Sequence, residues 1–150
     1  MALDDPFSGR WDAGQTAEWL SRSKAVPAAD MRAALVRLEN SLTPAPREWL
    51  GKRLPVLWTT YMPARPVDPG ALTVWLIETA RLLGDLPHDI AGHSIDEAIK
   101  AGKSGFMPTV GEIRSIADPL VAVRLKQIRR LHRLLEARAP ADQAASGAGI

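Results

Sequence analysis

The side chains with catalytic potential in this 150-residue chain are few and badly spaced for cooperation. His88 and His93 lie five apart on one predicted helix, which turns them about 140° away from each other. They cannot share a metal without a third element between them, and His132 stands among arginines that repel a cation. Asp89, Asp96 and Glu97 form a carboxylate group, but on a short helix facing solvent and with no histidine partner. Gly102-Lys103-Ser104-Gly105 carries a Gly-Lys-Ser step without the spacing of a phosphate loop, and it follows a helix instead of a strand. No Ser-His-Asp pattern can be argued from spacing. With no cysteine, thiol nucleophiles, thiolate metal sites and disulfides are excluded. These residues point to a protein that is not an enzyme and needs no metal or cofactor.

Binding chemistry is better represented. The formal net charge of +2 hides an asymmetry, because residues 119–138 hold six cations against the single acid Glu136. That segment has a net charge of +5, leaving −3 over the rest, and such a separation marks an interaction surface or a solvated helix face. On a helical projection Lys126, Arg130 and Arg133 fall opposite a stripe of Val121, Leu125, Ile128, Leu131 and Leu135; Arg129 lies to one side and Arg124 borders the stripe. A basic helix can lie along a phosphate backbone or dock in a partner's groove. Only Gln127, besides His132, is polar and uncharged, so base-specific readout is not expected. The narrow stripe also suits one helical partner, which admits a homodimer. The five tryptophans, Trp11, Trp19, Trp49, Trp58 and Trp75, sit mostly among aliphatic residues and read as core packing, with Trp11 the best candidate for an interface anchor.

The elements that must position these residues are helical throughout, and no run alternates in the manner of a strand. The N-terminal region, 1–61, opens with an arm in which Asp12-x-x-Gln15 caps a short helix with Trp19 and Leu20. A helix follows from Pro27 or Ala28, with Met31, Leu35, Leu38 and Leu42 at helical spacing. Thr43-Pro44-Ala45-Pro46 ends it and caps the next, which carries Trp49, Leu50 and Leu54 and which Pro55 should kink or restart. The Pro-rich stretch 62–70 reads as a stiff connection. Asp68-Pro69 then begins a helical hairpin over about 69–101, turning at Gly84-Asp85-Leu86-Pro87. Leu72, Trp75, Leu76, Thr79, Leu82 and Leu83 face inwards from its first arm, and Ile90, Ala91, Ile95, Ala98 and Ile99 from its second.

The segment Phe106-Met107-Pro108-Thr109-Val110-Gly111-Glu112-Ile113-Arg114 follows the hairpin. Thr109-x-x-Glu112 is a capping box: the threonine hydroxyl accepts from the Glu112 amide while the glutamate reaches back to the Thr109 amide. Phe106 is expected to anchor the loop on the core. A short capped helix, 110–117, should end at Asp118-Pro119, because proline disfavours helical geometry in the residue before it. The basic helix 119–138 follows, then a tail, 139–150, rich in alanine, glycine and serine that reads as disordered. The fold class is all-α, a small multi-helix bundle.

Residues 71–118 resemble the phage replicative helicase loaders of the loader-and-inhibitor type. The resemblance rests on Leu83-Gly84-Asp85-Leu86-Pro87, on a second helix ending in Ala98-Ile99, and on the Phe-x-Pro-Thr-x-x-Glu-Ile run of Phe106, Pro108, Thr109, Glu112 and Ile113. It covers about a third of the chain. It implies a small helical accessory protein of phage or prophage DNA replication that binds a hexameric replicative DNA helicase and assists its loading on DNA, with the C-terminal segment contributing to binding. By position, Arg124, Lys126, Arg129, Arg130 and Arg133 would contact acidic protein or DNA phosphate. About 60 residues precede the matching region, and the C-terminal segment reads as an ordered basic helix; both depart from that family's pattern. The longest apolar runs are four residues, such as Val74–Ile77, so no membrane span is expected. The acidic N-terminus lacks a secretory pattern, which makes the cytoplasm the expected location.

Overall fold

The computed structural model describes residues 26–61, 68–102 and 106–147, with side chains to Arg138 in the last helix. The expected helix around Trp19, the anchor Trp11 and most of the Pro-rich connection lie outside the described residues. The rest is all-α: α1 (Ala28–Asn40), α2 (Arg47–Thr60), α3 (Pro69–Leu83), α4 (His88–Ala101) and α5 (Val110–Gly147). No helix among the described residues is long and apolar enough to cross a membrane. Two compact units are present, one made of residues 41–121 and the other of α1 with α5 from residue 122 onward.

The larger unit is built on one hydrophobic cluster. Leu50, Leu54 and Leu57 supply it from α2 at i, i+4, i+7; Leu83 and Leu86 come from the hairpin turn, Ile90, Ala91, Ile95 and Ala98 from α4, and Ile113 and Ala117 from α5. Each of these is under 5% exposed. The inward positions expected on α4 are all in this core or, for Ile99, packed against it. On α3, Thr79 and Leu83 are buried and Trp75 and Leu76 pack on the cluster, but Leu82 is exposed. Tryptophan packs as its spacing suggests. The Trp58 and Trp75 rings meet across α2 and α3 at 5.1 Å, and Trp49 meets His88 edge-on at 4.7 Å.

Local signals set most helix ends. Asp68 caps α3, its carboxylate accepting from the Gly70 amide at 3.1 Å, and Pro69 takes the first helical position. Gly84 ends α3, though not by a left-handed turn. A Cβ there would sit 2.8 Å from the Ala80 carbonyl oxygen, so the close approach, not a special φ, calls for glycine. Thr43, in contrast, is not the cap of α2. Pro46 holds that position without a side-chain bond, and the Thr43 carbonyl accepts from the His88 amide at 3.3 Å. With the Ala45 amide donating to Leu86 at 3.0 Å, this stitches two connectors by a single bridge between Pro44 and Pro87.

Three expected breaks do not occur. Helix α2 continues through Pro55, because Leu50 and Leu54 before it and Leu57 after it bury on one face. The cost is one amide bond to Gly51. Likewise α5 is continuous from Val110 to Gly147, so the expected short helix 110–117, the basic helix 119–138 and the expected tail as far as Gly147 are one element. Ile113 and Ala117 before Pro119, and Val121 after it, all pack on the core, while Ser115 and Pro119 are both exposed. The lost Pro119 bond therefore falls on the wet side of the helix. Past Arg138 the alanine content that suggested a tail is also the composition that best sustains a helix.

Arg114 holds Asp118 in the helix and ties the helix to the hairpin. Its guanidinium donates to Asp118 Oδ1 at 2.9 Å, to Asp85 at 2.7 and 3.2 Å, and to the Leu82 carbonyl at 2.8 Å. The hydrogen bonds from Arg114, chiefly, hold the Asp85 carboxyl below its ordinary value of 3.8 against a partial desolvation cost. A depressed carboxylate stabilises the fold above its unfolded pKa and loses that contribution as pH falls through the folded value. Arg114→Met, which keeps the apolar stem, should cost about 1–2 kcal/mol at pH 7, a modest figure because Asp85 is mostly exposed. In urea titrations the gap from wild type should narrow as pH drops below 3.8. A gap of equal size at pH 7 and pH 3 would remove the ion pair from this account.

Candidate functional site

The motif Phe106–Arg114 folds as a helix start. Glu112 N donates to Thr109 Oγ1 at 3.1 Å, and Thr109 N donates to Glu112 Oε2 at 3.3 Å, so the reciprocal capping box is present. Pro108 is buried and Ile113 is 1% exposed. Phe106 does not anchor the loop: it is 74% exposed, and Met107 packs on the core in its place. Phe106 instead rims a groove of about 600 Å³ whose other walls include Ala98, Met107, Thr109, Ser115 and Ile116.

The five basic residues expected to act together are divided by the structure. Lys126, Arg129 and Arg133 are exposed, Arg124 is half-buried, and Arg130 is 3% exposed. The expected stripe fails for the same reason. Leu134 is buried, at 1%, and Leu135 only half so, while Leu125 remains 38% exposed. The buried arc of α5 is thus turned by about 80° from the one the leucine spacing suggests, and Arg130 falls within it. Ile128 and Leu131 are buried as expected.

What buries them lies in the same unit. Helix α1 contributes Met31 and Leu35, buried at i and i+4. Glu39 meets His132 Nε2 at 3.0 Å, and Arg138 donates to the Met31 sulfur and the Val26 carbonyl. The pairings 39 with 132 and 31 with 138 run in opposite directions, so α1 lies antiparallel to this part of α5. The apolar arc of the helix is therefore met within the chain. Its basic arc is not, among the described residues. Lys126, Arg129 and Arg133 share one face at i, i+3, i+7 and make no ion pair among the described residues.

Among the described residues no group of three His, Cys, Asp or Glu side chains converges to hold a metal ion. His88 packs against Trp49, and Asp96 pairs with Arg53 at 3.1 Å and Glu97 with Lys100 at 3.3 Å, so these three acid–base side chains are in structural contacts. Residues that sequence reasoning left aside, Arg114 and Asp85, form the most connected polar cluster. The Arg114–Asp118 spacing signalled half of it, whereas the Asp85 partner, 29 positions away, carried no local signal. Comparison with protein-family models, with curated proteins and with solved structures finds no match to this chain.

The division within α5 has a direct consequence for stability. Arg130→Ala removes a buried side chain whose stem fills the arc beside Leu131 and Leu134, and should cost about 1–3 kcal/mol. Arg129→Ala and Arg133→Ala should leave the thermal midpoint unchanged. Thermal melts followed by circular dichroism distinguish the three, and equal effects would mean that the helix is turned differently.

Proposed function

We propose that this chain is an accessory protein of phage or prophage DNA replication that binds a hexameric replicative helicase and assists its loading, acting through binding energy and not through catalysis. The observation that carries the reading is the local structure of the Phe106–Arg114 segment. It follows a helical hairpin that turns at Leu83–Pro87, and it opens the next helix with a satisfied capping box, in the element order that the sequence resemblance implies.

Within that segment the fold accounts for every motif residue but one. Pro108 and Ile113 are buried, and Thr109 and Glu112 cap each other. Phe106 contributes nothing comparable to packing, yet it holds a large apolar ring in water. Exposed aromatic residues at the rim of a groove are favoured anchors of protein interfaces. Phe106, with Met107 and Ile116 lining the groove behind it, supplies such an anchor for an apolar side chain of the helicase.

The full chain, mixed with replicative helicases at micromolar concentration, should co-elute with one of them and change its ATPase rate or its loading on DNA. Phe106→Ala should weaken the complex about tenfold or more, the scale of an interface hot spot, while the thermal midpoint stays as in wild type. Absence of binding to every replicative helicase tested overturns the reading. Wild-type affinity in Phe106→Ala overturns the assignment of the anchor.

A further inference from the structure

We infer that the face of α5 bearing Lys126, Arg129 and Arg133 is a sequence-independent site for the phosphate backbone of DNA. The inference goes beyond helicase binding and needs no helicase to be true. Three observations carry it: the three cations are exposed, they share one face, and none is neutralised among the described residues. At about 1.5 Å of rise per residue their backbone positions are about 4.5 and 6 Å apart along the axis, or about 10.5 Å from first to last. One strand of duplex DNA presents a phosphate about every 3.4 Å of axis. The length of the face therefore covers about three phosphate intervals, enough for each cation to reach a different phosphate.

The remaining residues of that face fit a backbone ligand better than an acidic protein. Ala122 and Ala137 are small and exposed, which lets a phosphate chain approach the helix closely, and Glu136 limits the positive strip at one end. Protein interfaces also use arginine, but their cores centre on aromatic or other apolar anchors. Among the described residues no aromatic side chain other than His132, already paired with Glu39, stands on or beside this face. Leu125 and Val123, 38% and 45% exposed, border it at opposite edges and not at its centre. Base readout would need amide or hydroxyl side chains beside the arginines, and Gln127 is half-buried on another face. The site is thus built for charge without sequence.

Fluorescence anisotropy of the full chain with labelled single-stranded and duplex DNA 20-mers of two unrelated sequences tests this, with polyglutamate as the acidic-polypeptide arm. Neutralising three phosphates predicts a slope of log K against log salt of about −2.7 for duplex and about −2.1 for single strands. Affinity should then fall about 20- to 40-fold between 50 and 200 mM salt, equally for both sequences. Each single alanine variant, Lys126→Ala, Arg129→Ala or Arg133→Ala, should flatten the slope by about 1, and the triple variant should lose binding with its circular dichroism spectrum intact. No DNA binding by the wild type at 50 mM salt, tighter binding to polyglutamate than to DNA, or a triple variant with unchanged affinity would each overturn the site.

Discussion

In the larger unit one guanidinium fixes the last helix against the hairpin. Arg114 lies in the first turns of α5, with a side chain only 28% exposed, and it reaches three places at once: the Asp85 carboxylate, the Leu82 carbonyl and Asp118 one turn along its own helix. The first two contacts fix the helix against the end of α3 and the turn of the hairpin. The third braces the residue before Pro119 at the point where the backbone has lost an amide donor. Without a constraint there, Asp118 would favour the extended geometry that proline imposes on its predecessor. An arginine suits the task because its planar donors serve several acceptors together, whereas a lysine ammonium would satisfy one direction at a time. The carbonyl it satisfies is one of the last four of α3, which the helix itself cannot pair.

Continuity across Pro119 changes the meaning of everything beyond it. Two helices meeting at a proline would allow the basic segment to take its own direction. A single helix instead keeps the backbone helical through Pro119. After residue 122 the buried arc is set by packing within its own unit, where α1 lies alongside, and not by local leucine content. Leu134 takes the buried place that spacing alone would give to Leu135, and Leu125 is left at the margin.

Local chemistry was the legible part of this chain. The Asp68-Pro69 cap, the Thr109–Glu112 box, the Gly84 stop and the inward face of α4 depend on residues within one or two turns of each other, and all are present. Pro55, Pro119 and Thr43 depart from their local signals for a different reason. Propensity makes Pro55 and Pro119 helix breakers and Thr43 a cap, but burial on both sides of each proline outweighs one lost hydrogen bond, and the Thr43 carbonyl is claimed by a connector 45 residues away. Phe106 illustrates the same limit in reverse. A large apolar ring next to a proline reads as a core anchor, yet Met107 and Pro108 already fill the space beneath the loop. Five cations within ten residues likewise read as one patch, and only the three-dimensional rotation of the helix separates Arg130 from Lys126, Arg129 and Arg133.

That separation bears on how charge in a sequence translates into a surface. A buried arginine contributes to the formal charge of its segment, but Arg130 is 3% exposed and its contacts lie inside the protein, where its Nε has no hydrogen-bond partner. Arg138 is similarly committed to Val26 and Met31. The net charge of the segment therefore overstates what a ligand meets. What remains is smaller but better defined: three cations in one row on a helix whose rotation is set from its other side. A flexible basic tail could offer the same charges, at the cost of ordering the chain on binding. Here that ordering is already done by Leu131, Leu134 and α1, so the same packing that hides Arg130 also presents the other three.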